Sequence, residues 1–184
     1  LAVTFDNHIG HDYLEDYEER YDFYHQKEEK IPFDLEFFNK ITKGGLPNKT
    51  LNVALAGTGV GKSLFMCHSA SSVLLQGKNV LYITLEMAEE KIAERIDSNL
   101  LDCDIQNITE LPKMMFENKV RRIAQKTQGK LVIKEYPTAS AHVGHFRALL
   151  NDLALKKSFS PDIIYIDYLN TVSYTHLRAH ETRE

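Results

Sequence analysis

The residues best suited to chemistry in this chain stand in one run, Ala56-Gly57-Thr58-Gly59-Val60-Gly61-Lys62-Ser63. Small residues let a backbone curl until successive N–H groups converge on phosphate oxygens, and a helix beginning where the curl ends adds the positive end of its dipole. A lysine in the next position reaches β and γ phosphates, and a hydroxyl after it ligates Mg²⁺. Lys62 and Ser63 hold those positions, so the run predicts a phosphate-binding loop for a nucleoside triphosphate with Mg²⁺. The usual pattern opens on glycine, whereas Ala56 stands first here; any positive φ required there would cost more than with glycine.

Splitting a nucleoside triphosphate also needs a held metal ion and a group that orients the attacking water. Asp167 closes the apolar run Asp162-Ile163-Ile164-Tyr165-Ile166-Asp167 and suits the first task, holding Mg²⁺ through water; a strand-end Asp also caps turns. Glu86 closes a second apolar run, Val80 to Leu85, and suits the second task if its strand lies beside the loop. A glutamate at the head of a helix is equally what the helix dipole favours. Arg95, nine residues on, is placed to reach a phosphate or to pair with Glu86, and equally to be a solvated surface side chain. Asn170 offers a polar group near Asp167, or a loop cap. His68, His142 and His145 have no companions at metal-ligand spacing, which favours core or surface roles.

These residues need elements to position them. Leu51 to Leu55 reads as a buried strand delivering the loop, and Leu64, Cys67, Ser71 and Leu74 mark the inward face of a helix that stops at Gly77. Helices are expected roughly over Glu89 to Leu101, with Ile92, Ile96 and Leu100 in one row, and from about Lys113 to Lys126, with Phe116, Val120, Ile123 and Ala124 inward. Leu131 to Ile133 is a short strand, and Val143, Phe146, Leu150 and Leu153 stripe a further helix. Strand and helix alternate, which predicts an α/β fold with right-handed crossovers into one parallel sheet and nucleotide at the strands' carboxyl ends. Ahead of this core, Asp12 to Lys30 predicts an acidic helix whose stripe of Leu14, Tyr17, Tyr21 and Tyr24 docks either on its own domain or on a neighbour. Ile31-Pro32 ends that helix, and a shorter amphipathic piece runs from Leu35 to Ile41 before the turn cluster at Gly44 and Gly45.

With 184 residues and a net charge of -4, the chain has room for one sizeable core and no overall basic bias toward nucleic acid, so any such contact comes from a local patch or an assembly. Cys67 and Cys103 sit inside helical patterns as small apolar residues, which suits a reducing cytoplasm. No apolar run has the length of a membrane span. Residues 173–184 lose the apolar rhythm and read as a non-native, adapter-derived tail.

Taken together, Lys43-Gly44-Gly45-Leu46, Ala56 to Ser63, Tyr82-Ile83-Thr84-Leu85-Glu86-Met87 and Ile163-Ile164-Tyr165-Ile166-Asp167-Tyr168-Leu169 resemble the DnaB-like replicative DNA helicases, a branch of the RecA-like ATPases. The similarity is closest to those of T-even-type bacteriophages, through Leu81 to Ile96 and Lys134 to Thr138. The resemblance implies a RecA-like P-loop core and a hexameric motor that moves 5′ to 3′ on single-stranded DNA and opens forked DNA, with a primase and a helicase loader as partners, in the bacterial host cytoplasm. It implies Glu86 as the catalytic glutamate, Lys62 and Ser63 as phosphate and Mg²⁺ ligands, Asp167 as the second acidic group and Arg95 as an active-site arginine. It divides the chain into a linker segment with its helix (1–30), a partial ATPase domain (31–172) and the tail. The family's amino-terminal domain, its DNA-binding loops and its trans-acting arginine finger have no counterpart, so the carboxy-terminal half of the motor domain is expected to be missing. A RecA-like recombinase, a catalytically incomplete interaction module and a small-molecule kinase are the competing readings, in that order.

Overall fold

Five consecutive residues without a polar interruption except one threonine, Val80–Thr84, form strand β3, and all five are buried. Such a run fits a parallel strand covered on both faces. In a computed structural model, which describes residues 10–26, 28–137 and 140–167, β3 is the middle of a three-stranded parallel sheet between β4 (Leu131–Glu135) and β5 (Ile163–Asp167). Val80 lies opposite both Leu131 and Ile163, and Thr84 opposite both Glu135 and Asp167. Strand alternation then divides the core. Val80, Tyr82 and Tyr165 pack with Cys67, Ala70, Val73 and Leu74 of α3 (Lys62–Leu75) and with Ile92 and Ile96 of α4 (Glu89–Leu101). Leu81, Ile83 and Leu85 face the other way, onto Ala141, Phe159 and Leu153 of α7 (Val143–Lys157). The result is helix on both sides of a sheet, the expected α/β architecture.

The direction of α3 follows from its exit. Gly77 takes a left-handed φ of 83°, a conformation open to glycine at a helix end, and β3 begins three residues later. A helix packed on the sheet and joined to β3 by so short a turn runs antiparallel to the strands. Its first turn therefore stands at their carboxyl ends.

Ahead of this core lie α1 (Tyr17–His25), β1 (Lys30–Ile31), α2 (Glu36–Ile41) and β2 (Leu46–Pro47); β1 and β2 pair antiparallel. Between α4 and β4 come α5 (Ile105–Ile108) and α6 (Lys113–Lys126).

Several expectations need correction. Leu51 to Leu55 is not a buried strand: residues 51–57 have no regular structure, and Leu51, Val53 and Leu55 are 86%, 73% and 93% exposed. A strand needs a hydrogen-bonded neighbour and cover on its faces as well as apolar residues, and among the described residues this segment has neither. The first helix is shorter than Asp12–Lys30. At its start the Asp12 carboxylate accepts from the Leu14 and Glu15 N–H groups in a turn, and at its end Lys30 is drawn into extended pairing with Pro47. Its stripe of Leu14, Tyr17, Tyr21 and Tyr24 stays exposed rather than folding onto the core. Helix α6 has the expected limits but no buried residue; Phe116 and Ile123 are half-buried, and Val120 and Ala124 are exposed. Leu64 is exposed, and Cys103 lies just past α4, after Asp102 in a left-handed cap. Residues 168–184, which include Asn170 and the 173–184 tail, lie outside the described residues, as does Thr138.

Candidate phosphate and metal site

The loop is glycine-rich where the backbone demands it. Gly59 and Gly61 have φ of 76° and 103°, whereas Ala56 needs no positive φ, which explains why alanine is tolerated at the first position. Gly61 is the N-cap of α3, so Lys62 and Ser63 form its first turn, where N–H groups have no acceptor within the helix and point toward an anion. The Lys62 amine is folded back on the loop, donating to the carbonyls of Ala56 at 3.0 Å and Gly57 at 3.2 Å. A phosphate that takes this amine replaces two neutral acceptors with a charged one.

The two acids stand at the same rim. Asp167 is the last residue of β5, 4% exposed, and lies opposite Thr84. The Leu85 N–H donates to the Asp167 carbonyl at 2.8 Å, so the β3–β5 ladder runs to the residue before Glu86. Glu86 itself is exposed on a turn that is clasped twice. The Thr84 hydroxyl donates to the Met87 carbonyl (2.8 Å) and accepts from the Met87 N–H (3.1 Å). Beyond the turn, the Glu135 N–H donates to the Glu89 carboxylate (2.8 Å) and the Glu89 N–H to that of Glu135 (3.2 Å).

A buried cluster joins helix α3 to these strands. The Tyr82 hydroxyl donates to Asp167 Oδ2 at 3.1 Å and accepts from the Cys67 thiol at 3.8 Å. Cys67 is one helical turn beyond Ser63, so the two share a face of α3. Burial pushes the Cys67 thiol above its ordinary range; the Tyr82 hydrogen bond and the Arg95 charge pull it down, while the Asp167 charge adds to the rise. Arg95, half-buried on α4, thus acts electrostatically on the same spot as Asp167. Burial, with Cys67 and Asp167 adding to it, likewise holds the Tyr82 phenol far above its usual value and keeps it protonated.

The donor set fits the expected groups. Ser63 and Asp167 offer the hard oxygens that Mg²⁺ prefers, and Mg²⁺ sites draw their remaining ligands from water and phosphate. Among the described residues no three His, Cys, Asp or Glu side chains gather for a metal. His68, His142 and His145 make local structural contacts. His68 bridges Asp34 and the Asn99 side chain, and His142 caps α7 by accepting from the Gly144 N–H, with His145 accepting from the His142 N–H. No helix among the described residues is long and apolar enough to cross a membrane.

Tyr82, Thr84 and Glu135 went unremarked as site residues in the sequence. A tyrosine inside a run expected to be fully buried carried one signal, since its hydroxyl must find a partner; register alone says which.

Comparison with known proteins identifies the family. A family model described as the DnaB-like helicase C terminal domain matches residues 31–184. The chain is 45% identical over 183 residues to the DnaB-like replicative helicase of Enterobacteria phage T4, an overlap covering 98% of this chain and 38% of that protein. It is also 30% identical over 95 residues, 52% of this chain and 21% of the other, to the DNA repair protein RadA of Campylobacter jejuni subsp. jejuni serotype O:2.

Proposed function

The chain belongs to the DnaB-like helicase family, in that family's C-terminal domain, and on that premise we propose that it is the ATP-hydrolysing motor of a replicative DNA helicase. It spans 38% of the length of the phage T4 relative, so unwinding is an activity of the larger protein to which such a domain contributes. The observation that carries the reading is the shared rim: the first turn of α3 and the carboxyl ends of β3 and β5 face one another across the Cys67–Tyr82–Asp167 cluster.

In this reading the loop from Ala56 to Ser63 wraps the phosphates with its N–H groups, and Lys62 moves from the Ala56 and Gly57 carbonyls to the β and γ phosphate oxygens. Ser63 and Asp167 would hold Mg²⁺, which would supply charge neutralisation to the phosphates. Glu86, exposed on its clasped turn, orients a water and draws its proton as the water oxygen attacks the γ phosphorus and the bond to the ADP oxygen breaks. Arg95 adds positive charge beside the phosphates. This reading takes residues 31–172 as the ATPase domain and 1–30 as a linker segment ahead of it; the exposed aromatic stripe of α1 suits docking on another copy in a ring. Forked and single-stranded DNA, a primase and a helicase loader are the partners this function requires.

The test is Lys62→Ala. Binding of a fluorescent ATP analogue in the presence of Mg²⁺ is expected to fall by on the order of tenfold or more, as when a charge-assisted hydrogen bond is lost; unchanged binding sinks the site. The similarity to RadA favours a second reading, a repair-type ATPase on the same core. Separation of a forked duplex by the larger protein supports the helicase, and strand exchange without unwinding supports the alternative.

A further inference from the structure

The Asp167 carboxylate is held by a side chain with no part in the steps above. Tyr82 is fully buried in the central strand, and its phenol has one proton to give. The Tyr82 hydroxyl donates to Asp167 Oδ2 at 3.1 Å, leaving the phenol oxygen to accept from the Cys67 thiol. The ring cannot swing away. It stacks on Tyr165 of β5, centroids 5.9 Å apart and planes 19° from parallel, and the Tyr165 hydroxyl is itself 2.8 Å from Ser69 Oγ of α3. Two tyrosines side by side across the β3–β5 ladder are thus each tied at the hydroxyl to the helix that begins with Lys62 and Ser63.

We propose that Tyr82 is the positioning residue for Asp167: its hydroxyl, seated between Cys67 and Asp167, fixes the rotation of the carboxylate and leaves Oδ1 as the oxygen available to Mg²⁺. Because Cys67 follows Ser63 by one helical turn, the same chain of hydrogen bonds sets the distance between the two Mg²⁺-holding groups, one on α3 and one on β5. This rests on Asp167 serving Mg²⁺.

Tyr82→Phe keeps the ring and its stacking and deletes only the hydroxyl. The experiment titrates Mg²⁺ into the 184-residue chain with a fluorescent ATP analogue bound, comparing wild type, Tyr82→Phe and Asp167→Asn, and repeats analogue binding in EDTA. Loss of a hydrogen bond to a charged group predicts a Mg²⁺ half-saturation raised roughly tenfold in Tyr82→Phe, with metal-free binding unchanged. A residue that merely fills the core would move both measurements together or neither. Wild-type Mg²⁺ dependence in Tyr82→Phe, beside a shifted Asp167→Asn, overturns the positioning role while leaving the metal reading intact. Wild-type dependence in Asp167→Asn removes the metal reading and the proposal with it. Should Tyr82→Phe not fold, Cys67→Ala decides: a smaller rise in the same direction supports the relay, and an unmoved half-saturation refutes it.

Discussion

Replacing Thr84 by valine should loosen the turn that carries Glu86. Thr84 is 1% exposed, and its hydroxyl makes two hydrogen bonds to the backbone of Met87, one as donor and one as acceptor. Valine has nearly the same shape but no hydroxyl, so the swap keeps the packing and deletes both bonds. At about 1 kcal/mol net for each, the loss is about 2 kcal/mol. For a chain of this size 1 kcal/mol moves the melting midpoint by about 2–4 °C, which predicts a fall of about 4–8 °C. Circular dichroism melting of the chain measures it. Thr84→Ser is the control, because it keeps the hydroxyl and gives up one methyl, a loss of about 0.8 kcal/mol. In the larger protein, turnover should fall in Thr84→Val and be restored in Thr84→Ser if the clasp aims Glu86. A Thr84→Val midpoint within about a degree of wild type, or one matched by Thr84→Ser, would refute the clasp as the support of this turn.

Three further outcomes follow from burial and backbone geometry. Of the two cysteines, Cys67 is fully buried with its thiol pushed up, whereas Cys103 is half-buried; a thiol reagent near neutral pH should label Cys103 first and Cys67 only on unfolding, and equal labelling rates would contradict the packing of α3 on β3. Burial raises the phenols of Tyr82 and Tyr165 above their unfolded value, so the folded chain holds protons the unfolded chain gives up. Stability should therefore be intact below about pH 10 and fall as pH climbs beyond it, with these two phenols ionising only as the chain unfolds in a spectrophotometric titration. Gly45 has φ of 123°, and a Cβ there would run into the backbone of Ile31 and Pro32; Gly45→Ala should cost at least about 1–3 kcal/mol and open the β1–β2 pair, read as faster hydrogen exchange at Lys30 and Ile31.

Local chemistry was legible where one stretch of chain decides it. The limits of α4 and α6 fall close to where the apolar spacing placed them, and β3 and β5 occupy two apolar runs, each ending beside an acid. Helices can be read this way because their hydrogen bonds close within four residues. The same periodicity misled where the outcome needs a distant partner. The spacing in α6 promised an inward face, yet α6 lies over the surface with no residue buried. The antiparallel pair of Lys30–Ile31 with Leu46–Pro47 joins two-residue segments too short to carry any pattern.

By itself, then, the sequence determined a glycine curl ending in Lys62 and Ser63, two carboxylates at the ends of apolar strands, and membership in the DnaB-like family. Tertiary structure decided that Glu86 and Asp167 share one rim, since that depends on β3 and β5 being parallel neighbours in a register that sets Thr84 opposite Asp167. It also decided that Leu51 to Leu55 stays exposed and that Tyr82 holds Asp167. The shared rim and the Tyr82–Asp167 contact join groups far apart in the chain, and the free energy of such contacts comes from excluding water between surfaces that only folding brings together.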